Sequence, residues 1–103
     1  MAMTQTQVKN KVKPDVVVKE PPMYKVIYVN DEETSMEFVV TSLVEYFDYT
    51  VQLANEKTLE VHEAGAASVA VLPYEIAEQK GIEVTLSART NGYPLMIKIE
   101  PTG

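Results

Sequence analysis

Apolar and polar positions along this chain follow two different periods. Residues 23–30, "MYKVIYVN", are rich in β-branched and aromatic side chains and predict a strand. Apolar residues then recur at 36, 39, 40, 43, 44 and 47, the period of a helix. Thr34-Ser35-Met36-Glu37 reads as a capping box that opens this helix at Thr34, with Glu37 reaching back. Glu37, Thr41, Ser42, Glu45 and Asp48 fall on its outer side. A second helix fits residues 50–64. Thr50 is its N-cap, Val51, Ala54, Thr58 and Val61 share one face, and Gly65 supplies a left-handed C-terminal cap. "ASVAVL", residues 67–72, is a second strand. Pro73 starts the turn into a third helix over roughly 74–90, which Asn91-Gly92 ends. Gly81 lies inside that helix and costs about 1 kcal/mol relative to alanine. "YPLMIKIE", residues 93–100, is a third strand, closed by Pro101.

The order β-α-α-β-α-β predicts an α/β (α+β) two-layer sandwich, a three-stranded antiparallel sheet with three helices on one face. Residues 1–20 have no aromatic side chain and no sustained amphipathic period. They read as a flexible extension whose sticky element is "DVVVK", and Pro21-Pro22 separates it from a core domain over 21–103.

Composition narrows the function classes. A chain of 103 residues holds one domain, and 46% hydrophobic content supports a real core. No apolar run reaches the roughly 18 residues that a membrane-crossing helix needs. Neither a signal-peptide apolar segment nor the Arg/Ser bias of a transit peptide is visible at the start, so a cytoplasmic location is expected. The chain has no cysteine, which excludes disulfides, thiolate metal sites and cysteine nucleophiles.

The net charge of -6 is unevenly placed. Residues 1–20 carry four lysines against Asp15 and Glu20, a net +2, and the remaining 83 residues carry five basic and thirteen acidic side chains, a net -8. A body this acidic suits a cationic ligand or a basic protein surface, and disfavours nucleic acid.

Candidate chemistry is sparse. "VNDEETSMEF", residues 29–38, gathers Asn30, Asp31, Glu32 and Glu33 between strand and helix. Asn and Asp also commonly end strands in Asx turns, so on spacing alone the pair reads first as a turn. The segment lacks calcium-loop spacing, and no cofactor or metal is expected. His62 is the only histidine and has no cysteine or second histidine with which to share a metal. There is no G-x-S-x-G and no glycine-rich phosphate loop, so an enzyme is not expected.

Taken together, "PPMYKVIYVND", Thr34, "MEFVV", Val61-His62, Gly65, "YEIAEQK" and "YPLMIKIE" resemble the ClpS family of protease adaptors, over roughly residues 21–100. The resemblance implies a non-enzymatic, monomeric adaptor of the bacterial cytoplasm or a plastid-related lineage. It implies binding of substrates whose N-terminal residue is Leu, Phe, Tyr or Trp, and their transfer to a AAA+ unfoldase, ClpA or ClpC, that feeds ClpP. By position, Asn30, Asp31 and His62 are implied to hold the free α-amino group. Thr34, Met36, Val39, Thr58, Val61 and Leu95 are implied to wall the side-chain pocket, and Glu75, Glu78 and Lys80 to dock on the unfoldase. The implied N-terminal extension engages the unfoldase during handover.

The residue chemistry agrees with this. An α-ammonium has three donors, which a carboxylate, an amide oxygen and an imidazole nitrogen can satisfy, and protonation of His62 removes one acceptor. The chain departs from the family pattern at five positions, one of them Gly81, which is expected to loosen the third helix without touching the pocket. Ser35 replaces a usual proline, Thr58 replaces a frequent methionine in the pocket wall, and Glu33 and Glu63 stand where aromatic residues are common. At Thr58 the hydroxyl is expected to bond back to the carbonyl of Ala54, and the shorter side chain to widen the pocket in favour of aromatic N-termini over Leu. Two alternatives remain: a protein-interaction domain with the topology of the ribosomal stalk's C-terminal domain, and a ClpS homologue that docks on the unfoldase without binding degrons.

Overall fold

The computed structural model describes residues 21–103. The expected extension, residues 1–20, lies outside them. The elements are β1 (Met23–Val29), α1 (Met36–Phe47), α2 (Val51–Ala64), β2 (Ala66–Pro73), α3 (Tyr74–Thr90) and β3 (Met96–Pro101). The predicted order is therefore observed. The sheet runs β2-β1-β3 with both pairings antiparallel, so β1 is central and the other two strands are edges.

The core lies between the sheet and the helices. Val26 and Tyr28 of β1 are fully buried, together with Leu43 of α1, Ala54 of α2, and Ala77, Val84 and Ala88 of α3. A β-bulge leaves Val69 unpaired, because Val26 faces Ala70 while Ile27 faces Ser68. The freed carbonyl of Val69 accepts the Tyr49 hydroxyl at 2.7 Å.

Five local expectations change. Helix α1 is capped by Ser35, not Thr34: the Ser35 side chain accepts from the N–H of Phe38 at 3.0 Å. Thr34 is instead drawn to Asp31, and the capping box does not form. Ser42 faces inward. Its hydroxyl donates to the Val39 carbonyl at 2.8 Å, so the Tyr28 hydroxyl, 2.7 Å away, donates to Ser42. Burial pushes the Tyr28 phenol well above its ordinary value, against the pull of that hydrogen bond. Val51 does not share the buried face of α2. It is the first helical residue and is exposed, and Ala54, Thr58 and Val61 make the face. Strand β3 begins three residues later than expected. Gly92 turns the chain at φ 80°, Pro94 has no N–H to give a ladder, and the Arg89 guanidinium holds the carbonyls of Tyr93 and Leu95 at 3.0 and 2.8 Å. Finally, Thr58 does not bond back to Ala54: its hydroxyl is buried without any partner.

Candidate functional site

Sheet register brings Asn30, the end of the helix that carries His62, and Leu95 together at one end of the fold. Val29, the last residue of β1, faces Ala66 on β2 and Met96 on β3. The next residue, Asn30, therefore lies beside the end of α2 on one side and Leu95 on the other. One bond fixes this: the Asn30 backbone N–H donates to the Gly65 carbonyl at 2.9 Å. Gly65 is the left-handed cap of α2, at φ 89°, and His62 stands exposed in the last turn of that helix. A β-carbon at Gly65 would meet nothing within 4 Å, so backbone conformation and not crowding calls for glycine there.

Asp31 organises the loop. Its Oδ1 accepts from the N–H groups of Glu33 and Thr34, both at 2.7 Å, and its Oδ2 accepts the Thr34 hydroxyl at 2.8 Å. A carboxylate has about four acceptor sites, so one remains on Oδ2. Partial burial raises the Asp31 pKa. The two Thr34 bonds, the Glu33 bond and the field of Arg89 outweigh it and hold the carboxyl below the ordinary aspartate value. The turn role and a charge-presenting role thus fall on the same residue.

The residues expected to wall the pocket lie in the loop (Thr34), on α1 (Met36, Val39), on α2 (Thr58, Val61) and just before β3 (Leu95). Val39, Thr58, Val61 and Leu95 are buried, while Thr34 is half-buried and Met36 is 42% exposed. Thr58 is 4% exposed, and its orphan hydroxyl is the only buried unpartnered side-chain polar atom among the described residues.

Glu75, Glu78 and Lys80 lie elsewhere, on the first half of α3. That helix follows Pro73, which faces Met23 at the other end of β1. Six strand steps separate Met23 from Val29, about 20 Å. Glu78 accepts the Tyr74 hydroxyl at 3.2 Å, which raises the Tyr74 pKa.

Sequence reading missed Arg89. It sits in the last turn of α3, holds the segment that carries Leu95, and contributes to the field on Asp31. The signal was a cation in a last helical turn just ahead of Asn-Gly, where orphan carbonyls collect. Among the described residues no group of three His, Cys, Asp or Glu could hold a metal ion, and no helix is long and apolar enough to cross a membrane.

Fold and site together define a small α+β domain that presents an ionised carboxylate at the rim of an apolar core. Residues 19–98 match the family described as ATP-dependent Clp protease adaptor protein ClpS. Among relatives, the ATP-dependent Clp protease adapter protein ClpS of Sodalis glossinidius is 40% identical over 95% of this chain and 87% of its own length. The protein of the same name from Escherichia coli O1:K1 is 45% identical over 81% of this chain and 78% of its own length. Among solved structures, Agrobacterium tumefaciens ClpS2 bound to L-phenylalaninamide superposes with a TM-score of 0.78 at 35% identity, over 81% of this chain and all of that one. The chain belongs to the ClpS family of Clp protease adaptors, a family of adapter proteins and not of proteases.

Proposed function

We propose that this protein captures other proteins by a bulky hydrophobic N-terminal residue, Phe, Tyr, Trp or Leu, and delivers them to a AAA+ Clp unfoldase, ClpA or ClpC, for degradation by ClpP. The observation that carries the reading is the joint between Asn30 and Gly65. It sets Asp31, ionised and with an acceptor site to spare, at the same end of the fold as His62 and Leu95.

In this reading the α-ammonium takes Asp31 Oδ2, the Asn30 side-chain oxygen and a His62 ring nitrogen as its three acceptors. The side chain enters between Thr34, Met36, Val39, Thr58, Val61 and Leu95. Burying a Leu or Phe there contributes about 1.5–3 kcal/mol. L-phenylalaninamide, bound by the Agrobacterium relative, has the two features this site needs: a free α-amino group and an aromatic side chain. Glu75, Glu78 and Lys80 dock on the unfoldase from the opposite end of β1. Residues 1–20 form an extension that engages the unfoldase at handover. The protein works as a monomer in the cytoplasm, without a cofactor.

The test compares a Phe-starting peptide with its N-acetylated and Met-starting counterparts. Acetylation removes the charge and two of the three donors, at about 0.5–1.5 kcal/mol per hydrogen bond lost. Tight binding of the free Phe peptide alone supports the reading. Equal affinity for all three would leave an adaptor that docks on the unfoldase without reading N-termini.

A further inference from the structure

Helix α3 and edge strand β3 enclose an apolar groove of about 280 Å³ that the amine site does not use. Gly81, Ile82, Leu86, Ile97 and Ile99 line it, with Glu78 at its edge. Ile82 is 54% and Leu86 63% exposed, an unusual outlay of aliphatic surface on one helix. Gly81 keeps the groove open at its base. A β-carbon there would stand 3.4 Å from Ile99 Cδ1 and 3.5 Å from Ile97 Cγ2.

We propose that this groove is the docking site for Val16-Val17-Val18 of the same chain, with Lys19 against Glu75 and Glu78. Composition is the first argument. Val16–Val18 is the only run of three β-branched residues in positions 1–20, and such a run favours an extended strand. Among the described residues nothing pairs with the outer edge of β3, where the sheet ends. An extended segment can add to that edge and turn alternate side chains into the groove.

Reach is the second argument. The described chain begins at Pro21, and Pro21 and Pro22 share a surface depression with Pro73, Tyr74, Glu75 and Ile76 at the start of α3. From Ile76 to Ile82 and Leu86 is six to ten helical residues, about 9–15 Å. Val18 precedes Pro21 by three residues and Val16 by five, about 10–17 Å of extended chain. The valines thus span the stretch that the groove occupies, and the tether supplies an effective concentration on the order of millimolar.

Charge is the third argument, and it selects this occupant over a second copy. Residues 1–20 carry a net +2 and the remainder a net -8, so two bodies repel where segment and body attract. Lys19, two residues before Pro21, is placed for the carboxylates of Glu75 and Glu78 at the near end of the groove. A partner that takes those carboxylates must first displace the segment.

The absence of cysteine makes the experiment direct. Asp15→Cys in the full chain is labelled with a nitroxide, and methyl signals are compared between Ile82, Leu86, Ile97 and Ile99 in the groove and Leu53 and Leu59, exposed on α2. The expected result is a several-fold greater loss of intensity in the groove, abolished by Leu86→Asp, an exposed position where the fold tolerates a charge. Equal attenuation on both helices overturns the proposal, as does a contrast that survives Leu86→Asp. Placing label and isotope on different molecules must remove the contrast. If it persists there, the occupant is a second copy and the proposal fails.

Discussion

Thr58→Val tests the most unusual feature of the core. The hydroxyl of Thr58 is buried without a partner on the inner face of α2. A buried unsatisfied polar group costs about 1–3 kcal/mol. Valine has the same shape and nearly the same helix propensity, so the substitution removes the penalty without opening a cavity or altering the helix. We expect Thr58→Val to stabilise the free domain by about 1–2 kcal/mol. For a domain of this size each 1 kcal/mol corresponds to roughly 4–8 °C in Tm. Urea and thermal unfolding measure this, with an unchanged m value as the control that the unfolded state is unaltered. The same variant reports on binding. If Tyr or Trp at a substrate N-terminus supplies the missing partner, the valine variant loses one neutral hydrogen bond for those residues alone. That bond contributes about 0.5–1.5 kcal/mol, or roughly 2- to 12-fold in Kd, while affinity for Phe is unchanged. Equal or lower stability of Thr58→Val would refute the reasoning, because it would mean that the hydroxyl is already satisfied in the free protein.

Four further outcomes are expected. Ser42→Ala should destabilise by about 1–3 kcal/mol, because the buried Tyr28 hydroxyl loses its acceptor, and adding Tyr28→Phe should recover most of the loss, as chemical unfolding of the three variants will show. Gly81→Ala should stabilise by about 0.5–1 kcal/mol in urea unfolding, because the helix gains propensity and the new methyl meets Ile99 Cδ1 and Ile97 Cγ2 at 3.4 and 3.5 Å, ordinary van der Waals contact. Arg89→Ala should weaken binding of a Phe-starting peptide and raise the Asp31 pKa, followed by calorimetry and by NMR titration, because Arg89 both holds Leu95 and lowers that pKa. With Asp31 depressed in the folded state, its stabilising contribution is complete above the ordinary aspartate value of about 3.9 and is lost as pH falls through the lower folded value, so acid unfolding of Asp31→Asn should be shallower in that window.

The elements were legible because their signals are local. Thr50 and Gly65 bound α2 as read, and the order of elements follows from the switch between the two periods. What could not be read depends on contacts distant in sequence. Ser42 looks like a surface residue until Tyr28, fourteen positions away, turns its hydroxyl toward it. Thr34 and Ser35 are both good N-caps by type, and the choice between them was made by Asp31, which had already engaged Thr34. Leu95 reads as part of a strand because its side chain is apolar. The Arg89 guanidinium competes for the very carbonyls a ladder would use, and no period in the sequence records that. The same limit applied to Asn30, Asp31 and His62. Spacing alone left them a turn and a lone histidine, and only the bond from Asn30 to Gly65 ties the turn to the helix end.

The distance between the two ends of β1 decides how such an adaptor can work. A substrate held at Asn30, Asp31 and His62 sits about 20 Å from Glu75 and Glu78. At physiological ionic strength the Debye length is about 8 Å, so charges at one end are screened from the other. Neither site can sense the other through its field, and a direct clash between two ligands is avoided as well. Any communication has to pass through the elements that connect them. Helix α3 runs the whole way alongside β1 and β2: its first turn carries Glu75 and its last turn carries Arg89, which holds Leu95. Gly81 lies near its middle, with room for an alanine methyl. If binding at one end were to alter affinity at the other, Gly81→Ala, by stiffening this helix, should change the coupling, read as the ratio of peptide affinities with and without the unfoldase bound. If the two affinities are independent in both proteins, the adaptor is a rigid tether, and delivery depends only on holding two partners at once.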